Sequence, residues 1–585
     1  MRPKAVRPFS DQRRRRVCLR LLGLLLMALA APAFEVAAEA MVAVAVAEPQ
    51  AGQHPPQGGA GILIASHDDV VLGLSLIEAI AGDSPTLILT RGRRVQATVL
   101  QRGAQTGAVL FSIPSLSDLP TLPQLAAAPP LAATVWTMGN PFAAQASDGW
   151  PAISRGIISG HYVIPADEPP MRGRLGAELS QYRGPVFETT AAINDGNQGG
   201  PLLDDAGRVV ALVSLGLARP RRVGTAIPIA DILADLDLEL PLASADSDID
   251  PINAALLAAA REAASATVLV AMQRPRGPGN PPAPPRPAPL DDRTPPYLRR
   301  SREQAWGRYH HAMQLFYTDQ AIPALVIDAE QGLLLTAASN LHGDAEHGLV
   351  LLDPPASPLV CQVHARHQLL DLALLKSDGP LPLTAAALNP DPGLQSGDPV
   401  AVIGRHRDSD DLTLTTGLIS ATQRRRHQSV HALHQTDALV NYASLGAPVV
   451  DLADGIVAIT VHHGPHYPWG INAGVGMLVD SATILAVLPE LVDGNTVTRH
   501  DIVGLGVQLD RDGTVTRVIP NLGAAAAGIL PGDRIRSLDG RPVGEPADIS
   551  RLLVGRQAQD RVQVGLERDD DTLILEVTLE IFDGR

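Results

Sequence analysis

The stretch Ile193–Leu202, with the sequence INDGNQGGPL, decides the fold of this 585-residue chain. Its Gly-Asn-x-Gly-Gly-Pro core predicts a sharp turn between two strands, because glycine takes backbone angles that other residues avoid. Such a turn also points consecutive backbone N–H groups into one hollow, the arrangement that stabilises a developing oxyanion. The sequence therefore predicts an oxyanion-like loop formed by Gly196, Asn197 and Gln198.

The region around this stretch is repeated further along the chain. Residues 186–214 align with residues 433–461, and the upstream segment 152–160 matches 414–421. In both copies, short runs of Val, Ile and Leu alternate with Gly, Pro, Asp and Ser, a pattern typical of an all-β barrel or sandwich. One β-domain is therefore expected to occur twice.

Composition narrows the class of protein. The chain is 45% hydrophobic, which is enough to fill real cores. A formal net charge of −15 argues against a nucleic-acid-binding surface. Two cysteines exclude a disulfide-stapled fold. One of them, Cys361, has Val360 and Val363 as neighbours, which predicts a buried strand position.

The N-terminal residues predict export. Basic residues, an uncharged apolar run and small residues follow one another over residues 1–33, the order found in a secretory signal peptide. We expect a periplasmic or secreted protein, with membrane association as the alternative if the signal stays uncleaved. Residues 34–58, rich in Ala, Pro, Gly and Gln, predict a flexible leader.

The segment between the two copies predicts a spacer. Residues 253–272 are predicted to form one apolar helix, and residues 274–298 are rich in proline, which favours an extended, stiff conformation. Residues 241–300 are therefore interpreted as a helix and linker that hinges between the copies.

Several motifs carry a resemblance to a known family. These are the turn at 193–202, MGNPF at 138–142, RGIIS at 155–159 and GTAIP at 224–228. Together they resemble the HtrA/Deg-type trypsin-like serine proteases. The resemblance implies a mostly β fold, with two tandem chymotrypsin/trypsin-like double β-barrel domains at 59–240 and 301–492 and an α+β PDZ domain at 499–582.

The catalytic positions depart from the family. Aligned with its Ser, His and Asp, the first copy has Gln198, Leu76 and Thr106, with the histidine position placed to within one residue. The second copy has Leu445, Ser339 and Asp371 at the same three positions, with Ser444 one place before the nucleophile. Gln has no nucleophilic hydroxyl and Leu cannot accept a proton, so we expect both copies to be inactive.

The C-terminal region resembles a PDZ domain, through GLGV at 504–507 and the GAAAAGILPGDRI signature at 523–535. The resemblance implies that a peptide adds as a strand and that its terminal carboxylate meets the glycine-bearing loop. The peptide-binding residues predicted on this basis are Gly504, Leu505, Gly506, Val507, Leu509, Ile549, Leu552 and Leu553.

Three hypotheses follow for function. The first is an exported, non-catalytic HtrA-like scaffold in envelope protein quality control, with peptides, protein C-termini, unfolded envelope proteins or active HtrA-type proteases as partners. The second is an active HtrA-type endopeptidase, and the third a structural envelope protein. The sequence predicts no cofactor, no nucleic-acid partner and no metal site, since no Cys or carboxylate accompanies His462, His463 and His466 at a ligand spacing. Homo-oligomerisation is left open.

Overall fold

The computed structural model describes most of the chain outside the N-terminal region and the proline-rich segment. The described residues are 36–44, 59–67, 69–80, 82–115, 121–141, 150–164, 171–172, 178–180, 182–217, 224–244, 249–272, 321–341, 347–352, 357–405, 412–424, 433–440, 444–453, 455–462, 475–497, 503–510, 512–544, 546–553, 556, 558–569 and 571–581. The predicted signal peptide at 1–33 lies outside them.

The first peptidase copy, called copy 1 and spanning residues 41–243, contains two sheets, the first antiparallel and the second antiparallel except for two parallel pairings. The first has seven strands in the order β5-β4-β1-β2-β3-β7-β6. Its strands are β1 (Met41–Val44), β2 (Gly59–His67), β3 (Val70–Leu76), β4 (Thr86–Leu89), β5 (Arg94–Gln96), β6 (Thr98–Arg102) and β7 (Ala108–Pro114), with a 3₁₀ turn at Thr90–Gly92.

The second sheet of copy 1 has eight strands in the order β14-β9-β10-β13-β16-β15-β8-β17. They are β8 (Leu125–Ala126), β9 (Thr134–Gly139), β10 (Ala152–Val163), β13 (Pro185–Thr189), β14 (Pro201–Asp204), β15 (Val209–Ser214), β16 (Gly224–Pro228) and β17 (Leu242–Ala243). A small pair, β11 (Met171–Arg172) and β12 (Glu178–Ser180), and helix α1 (Ile229–Asp235) complete the copy.

The second peptidase copy, called copy 2 and spanning residues 267–492, contains two closed barrels. The first consists of β18 (Thr267–Met272), β19 (Ala321–Asp328), β20 (Leu333–Ala337), β21 (His347–Leu351), β22 (Leu359–His367) and β23 (Leu372–Ser377). The second consists of β24 (Pro399–Arg405), β25 (Leu412–Arg424), β26 (Leu433–Thr436), β27 (Pro448–Val450), β28 (Ile456–Val461) and β29 (Gly476–Asp480). A 3₁₀ turn at Ala338–Asn340 follows β20, and helix α3 (Ser481–Val492) follows β29.

The C-terminal module combines short strands with two short helices. Its elements are β30 (Val503–Gly504), β31 (Val507–Leu509), β32 (Val515–Val518), α4 (Gly523–Ala526), β33 (Arg534–Leu538), β34 (Arg541–Pro542), α5 (Pro546–Leu552), β35 (Arg561–Arg568), β36 (Asp571–Thr578) and β37 (Glu580–Ile581). The main sheet has the order β34-β33-β35-β36. The predicted fold class, mostly β with two double-barrel domains and an α+β module, is therefore confirmed.

Aliphatic residues fill the cores, because the strands that cross them are apolar on both faces. Strand β28 (IVAITV) is buried at every position, and so is β15 (VVALVS). Cys361 lies on β22 with no exposed surface, and burial raises the pKa of its thiol to about 11. The prediction that Cys361 is a buried strand residue is therefore confirmed.

Two predicted boundaries were wrong. Residues 41–44 of the supposed flexible leader form β1, which pairs with β2 and β4 inside the first sheet. The supposed single helix at 253–272 is helix α2 (Pro251–Ala264) followed by β18, and β18 pairs with β19 and β21 in a barrel of copy 2. The sequence of this strand, TVLVAM, is mainly apolar and half β-branched, so it suits a buried strand better than a helix.

The second correction changes the role of the proline-rich segment. Because β18 precedes it and β19 follows it, residues 273–320 connect two neighbouring strands of one barrel. They do not separate the two copies, so the hinge predicted for residues 274–298 is not supported. The connection between the copies is the shorter stretch that includes α2.

Candidate functional site

The loop at 194–201 forms the sharp turn that its glycines predict. Gly196 has φ = 106° and Gly199 has φ = 79°, both in the left-handed region. A Cβ at Gly196 would lie 2.0 Å from the backbone oxygen of Asn140, so only glycine fits there. The chain then enters β14, where Leu202 pairs with Thr137 and Ala211.

Gln198 fills the hollow of this loop with its own side chain. Its Oε1 accepts a hydrogen bond from the backbone N–H of Gly196 at 2.7 Å, and the residue is 2% exposed. Its backbone oxygen accepts from the N–H of Ala60 at 2.9 Å. One of the amides predicted to form the oxyanion-like loop is therefore already bonded to a neutral carboxamide from the same loop.

The corresponding loop of copy 2 makes an equivalent backbone hydrogen bond. The N–H of Gly199 donates to Val213 O at 2.8 Å, and the N–H of Gly446 donates to Thr460 O at 2.8 Å. Both glycines have a left-handed backbone conformation. Gln198 and Leu445 therefore occupy equivalent positions, in agreement with the sequence alignment.

The same comparison corrects the histidine position of copy 1. In copy 2 the Thr336 hydroxyl donates to Pro323 O at 2.8 Å, and in copy 1 the Ser75 hydroxyl donates to Ala60 O at 2.6 Å. Counting from this shared contact, Ser339 corresponds to Glu78. The predicted residue, Leu76, lies two places earlier and is buried in the core.

The aspartate position of copy 1 is also shifted. The N–H of Ala338 donates to Asp371 O and the N–H of Ile77 donates to Gly107 O, each at 2.8 Å. Asp371 and Gly107 also share a left-handed backbone, with φ of 63° and 67°. Gly107, which takes this conformation without steric cost, stands at the aspartate position, and the predicted residue Thr106 does not.

Thr106 instead anchors helix α1. Its hydroxyl donates to Asp235 Oδ2 at 2.6 Å and its N–H donates to the same oxygen at 2.7 Å. Burial alone would raise the pKa of Asp235, but the hydrogen bonds from Thr106 and its neighbours lower it below the ordinary value. This contact is structural and lies beside the aspartate position.

Glu78 is the functional candidate that sequence reasoning missed. One carboxylate oxygen, Oε2, accepts from the backbone N–H of Leu215 at 2.9 Å and of Gly216 at 3.0 Å. The other, Oε1, accepts a short hydrogen bond from the Ser214 hydroxyl. Burial outweighs these bonds and raises the pKa of Glu78 to about 6. Aligning Ser75 with Thr336 would have placed it from sequence.

The structure brings Ser339 and Asp371 of copy 2 together as the alignment implies. Asp371, 3% exposed, accepts the Ser339 N–H on Oδ1 at 2.8 Å and the Ser339 hydroxyl on Oδ2 at 2.9 Å. Its Oδ2 also accepts the backbone N–H of His462 at 2.7 Å. Ser339 thus contacts the carboxylate that a histidine would contact in the family.

The nucleophile position of copy 2 is apolar. Leu445 is 4% exposed, and its backbone oxygen accepts a hydrogen bond from Asn340 Nδ2 at 2.7 Å. The neighbouring Ser444 is also buried, and its backbone oxygen accepts from Thr460 Oγ1. In the described part of copy 2, the three aligned positions are therefore Ser339, Asp371 and Leu445.

The predicted peptide groove of the C-terminal module is assembled around β31. This strand pairs with β32 alone among the described strands, so its other edge carries no ladder. Gly506 has φ = 83° and its oxygen accepts the N–H of Ile519 at 2.8 Å. Gly504 is at the end of β30 and pairs with Glu580 of β37.

The apolar residues predicted for the groove differ in burial. Leu505 and Ile549 are core residues, whereas the others are half-buried at the edge of that core: Val507, Leu509, Leu552 and Leu553. Leu505 and Ile549 therefore support the groove from beneath, and the half-buried residues are the ones that a peptide could contact.

The described residues hold no group of three His, Cys, Asp or Glu side chains placed as metal ligands. His463 and His466 lie outside the described residues. Within the described helices, none is long and apolar enough to cross a membrane.

Two family models match the chain. The trypsin-like peptidase domain matches residues 59–212 and again 324–459, and the PDZ domain matches residues 502–579. The fold and the arrangement of the site define a protein with two trypsin-like peptidase domains and one PDZ domain. The chain therefore combines trypsin-like peptidase domains with a PDZ domain, and relatives of this chain are HtrA/DegP serine endoproteases.

Relatives of the chain are proteases by name. The periplasmic serine endoprotease DegP of Salmonella typhimurium is 26% identical over 270 residues, which are 44% of this chain and 56% of the relative. Protease Do-like 1, chloroplastic, of Arabidopsis thaliana is 28% identical over 281 residues, 43% of this chain and 62% of the relative. The chain spans about half the length of the curated relatives it matches.

Solved HtrA-type structures are also similar. The HtrA-type protease AlgW with a tripeptide matches with a TM-score of 0.40 and 20% identity, over 57% of this chain and 98% of that chain.

Proposed function

We propose that this protein is an exported, non-catalytic HtrA-like scaffold that binds extended or C-terminal peptides through its PDZ groove. One observation carries the non-catalytic part of this proposal. The three catalytic positions hold Glu78, Gly107 and Gln198 in copy 1, and Ser339, Asp371 and Leu445 in copy 2. Neither set combines a nucleophilic hydroxyl with a histidine.

The chemistry of these residues supports the proposal. A serine hydroxyl attacks an acyl carbon only when a base within about 3 Å removes its proton. The Gln198 carboxamide supplies no nucleophile. Its oxygen accepts a hydrogen bond from the backbone N–H of Gly196, one of the amides of the oxyanion-like loop. Loss of a whole triad costs about a millionfold in turnover in the best studied case.

The PDZ groove supports the binding part. Strand β31 has an edge free of ladder partners among the described strands, and half-buried Leu552 of α5 packs against the same core as Val507 and Leu509. A peptide that pairs with β31 would gain backbone hydrogen bonds from the strand and apolar contacts from α5. Peptides and protein C-termini are therefore the proposed ligands.

Export is proposed from two observations. The first 33 residues have the order of a signal peptide, and several relatives are named periplasmic. We further propose a place in envelope protein quality control, with unfolded proteins or active HtrA-type proteases as partners.

The non-catalytic role is tested with unfolded casein and a fluorophosphonate probe on the full chain. We expect no cleavage and no labelling under conditions in which an active HtrA-type protease gives both. Activity would establish instead a working endopeptidase, for which the Ser339 hydroxyl bonded to Asp371 is the specific candidate. The variant Ser339→Ala then decides, since a true nucleophile would lose all labelling.

Peptide binding is tested by screening C-terminal peptides against the full chain, each paired with its C-terminally amidated form. We expect binding that requires the free carboxylate and that falls at least tenfold in Leu552→Thr. The matched control is Ile574→Thr, because Ile574 is 70% exposed on β36. Equal binding by both variants, or no preference for the carboxylate, would contradict the proposed groove.

A further inference from the structure

Arg517 is a charged residue of the C-terminal module that lies beside the proposed peptide edge. It is exposed on β32, where it pairs directly with Gln508 of β31. Residues paired in an antiparallel ladder share one face of the sheet, and neighbours along a strand point to opposite faces. Gln508 and Arg517 therefore share an outer face, opposite to the face on which the half-buried Val507 and Leu509 lie.

The guanidinium of Arg517 is available to a ligand. Within the part of the module that the structure describes, Arg517 has no hydrogen bond or ion pair from its side chain, and the same holds for Arg541 on β34. The other described arginines of the module are each paired with an acid: Arg534, Arg536, Arg556, Arg561 and Arg568. Of the two arginines without such a partner, Arg517 is the one beside β31.

The register of an added peptide follows from the proposed groove. The terminal carboxylate meets the loop at 504–506, so the last peptide residue lies opposite Val507 and the penultimate residue lies opposite Gln508. The last and third-from-last side chains then share the groove face with Val507 and Leu509. The penultimate side chain shares the outer face with Gln508 and Arg517.

We propose that Arg517 selects C-terminal peptides whose penultimate residue is Asp or Glu. This inference rests on the proposed PDZ groove and names the class of peptide that the groove takes. Strands lie about 4.8 Å apart, so the penultimate residue is about 10 Å from the backbone of Arg517. The long side chains of the two residues span this distance across the uncharged Gln508, and a guanidinium binds a carboxylate through two parallel N–H donors.

The charge of the outer face changes sign at the far end of β31. Asp510 is exposed two residues beyond Gln508, and its Oδ1 accepts the N–H groups of Asp512 and Thr514. A fourth-from-last peptide residue lies opposite Asp510, where an acidic side chain meets a like charge. The preference for an acid is therefore confined to the penultimate position, and such charged contacts at the rim of a site give specificity.

The test measures binding of fluorescein-labelled octapeptides with free C-termini to the full chain by fluorescence anisotropy. The peptides come in sets of three that differ only in the penultimate residue, which is Glu, Gln or Lys. The last and third-from-last residues are drawn from Val, Leu, Ile and Phe, because the groove residues are aliphatic. From the strength of exposed ion pairs, we expect binding about threefold tighter with Glu than with Gln and about tenfold tighter than with Lys. The difference should shrink in about 1 M salt, which screens exposed charges.

Variants of two arginines assign the preference. Arg517→Gln should remove the difference between the Glu and Lys peptides, and Arg517→Glu should reverse it in favour of Lys. The matched control is Arg541→Gln, which removes an exposed arginine on β34 and should keep the full preference. A control peptide that carries Glu at the fourth-from-last position, with Gln as its penultimate residue, should gain no affinity.

Either of two results would overturn the selection by Arg517. The first is equal binding of the Glu, Gln and Lys peptides by the wild-type chain, and the second is a preference for Glu that persists in Arg517→Gln. Both results leave the groove itself standing, because binding that requires the free carboxylate would still be observed. If no set shows binding that depends on the free carboxylate, the groove and its specificity are overturned together.

Discussion

Ser339 donates its hydroxyl to Asp371 across 2.9 Å, so a serine in copy 2 makes the contact with the aspartate that a catalytic histidine makes in a protease triad. The carboxylate is satisfied by two further N–H groups, from Ser339 and His462. It therefore ties together the turn after β20 and the end of β28. These three hydrogen bonds help to explain how this acid stays buried.

The stability of copy 2 should depend on this carboxylate. Asp371→Ala leaves the N–H groups of Ser339 and His462 without their acceptor, and a buried unpaired donor costs about 1–3 kcal/mol. We expect faster hydrogen exchange around residues 338–340 and 460–462. Exposed Asp378→Ala is the control and should leave the exchange unchanged; equal effects of both variants would refute the assignment.

If copy 1 is non-catalytic, as proposed, introducing catalysis there should require the corrected positions. Gln198→Ser alone should stay inactive, because Glu78 and Gly107 provide neither histidine nor aspartate. The triple variant Glu78→His, Gly107→Asp and Gln198→Ser should react with a fluorophosphonate more than the single variant does. The matched control places His and Asp at Leu76 and Thr106, together with Gln198→Ser, and should remain unlabelled; the reverse result would show that these positions are wrong.

The stability of copy 1 should fall as the pH rises through the pKa of Glu78. Burial raises that pKa from 4.5 to about 6, so the folded state binds the proton more tightly than the unfolded state. The stabilising effect is complete below pH 4.5 and is lost by about pH 7, with a size of about 1–2 kcal/mol. Glu78→Gln should remove this dependence, as measured by hydrogen exchange of copy 1 amides at several pH values after correction for intrinsic rates. A dependence unchanged from wild type would contradict the predicted titration.

The PDZ module should lose stability in acid through Asp533. Arg568 donates two hydrogen bonds to Asp533, each 2.7 Å long, and these hold the pKa of Asp533 below its ordinary value. The stabilisation is therefore present at neutral pH and is lost as the pH falls through the lowered pKa. Asp533→Asn should destabilise the module by about 2–3 kcal/mol at pH 7, the range for hydrogen bonds to a charged group. The control is the exposed ion pair of Arg561 and Glu576, where Glu576→Gln should lower the stability by less than about 1 kcal/mol. A similar loss of stability in both variants would rule out a special role for Asp533.

The fold could be predicted from sequence because strongly patterned stretches repeat. The turn at 193–202 and its partner at 440–449 fix the alignment of the second sheet, and the structure keeps Gln198 and Leu445 equivalent. The PDZ signature at 523–535 is similarly specific, and the module matches at 502–579. Glycines at left-handed positions gave these motifs their specificity.

The histidine and aspartate positions of copy 1 are harder to predict, because residues 75–78 include no histidine and residues 105–108 no aspartate to mark them. Apolar strand residues match each other at several registers, so Leu76 was aligned two places too early and Thr106 one place too early. The contacts that fix the register, Ser75 with Ala60 and Ile77 with Gly107, are tertiary. The strand at 267–272 was missed for a related reason, since a short apolar run after a helix can continue it or form a strand.

The position of residues 273–320 between β18 and β19 has a consequence for how copy 2 is made. During synthesis from the N-terminus, β18 must wait until the whole proline-rich segment and β19 have emerged before the first barrel can start to close. The delay grows with the length of the segment, while the entropic cost of closing the loop grows only slowly with it. A single cut within this segment in the mature protein would leave two pieces held by the ladder of β18 with β19 and β21, so a nicked chain would stay associated until it is denatured.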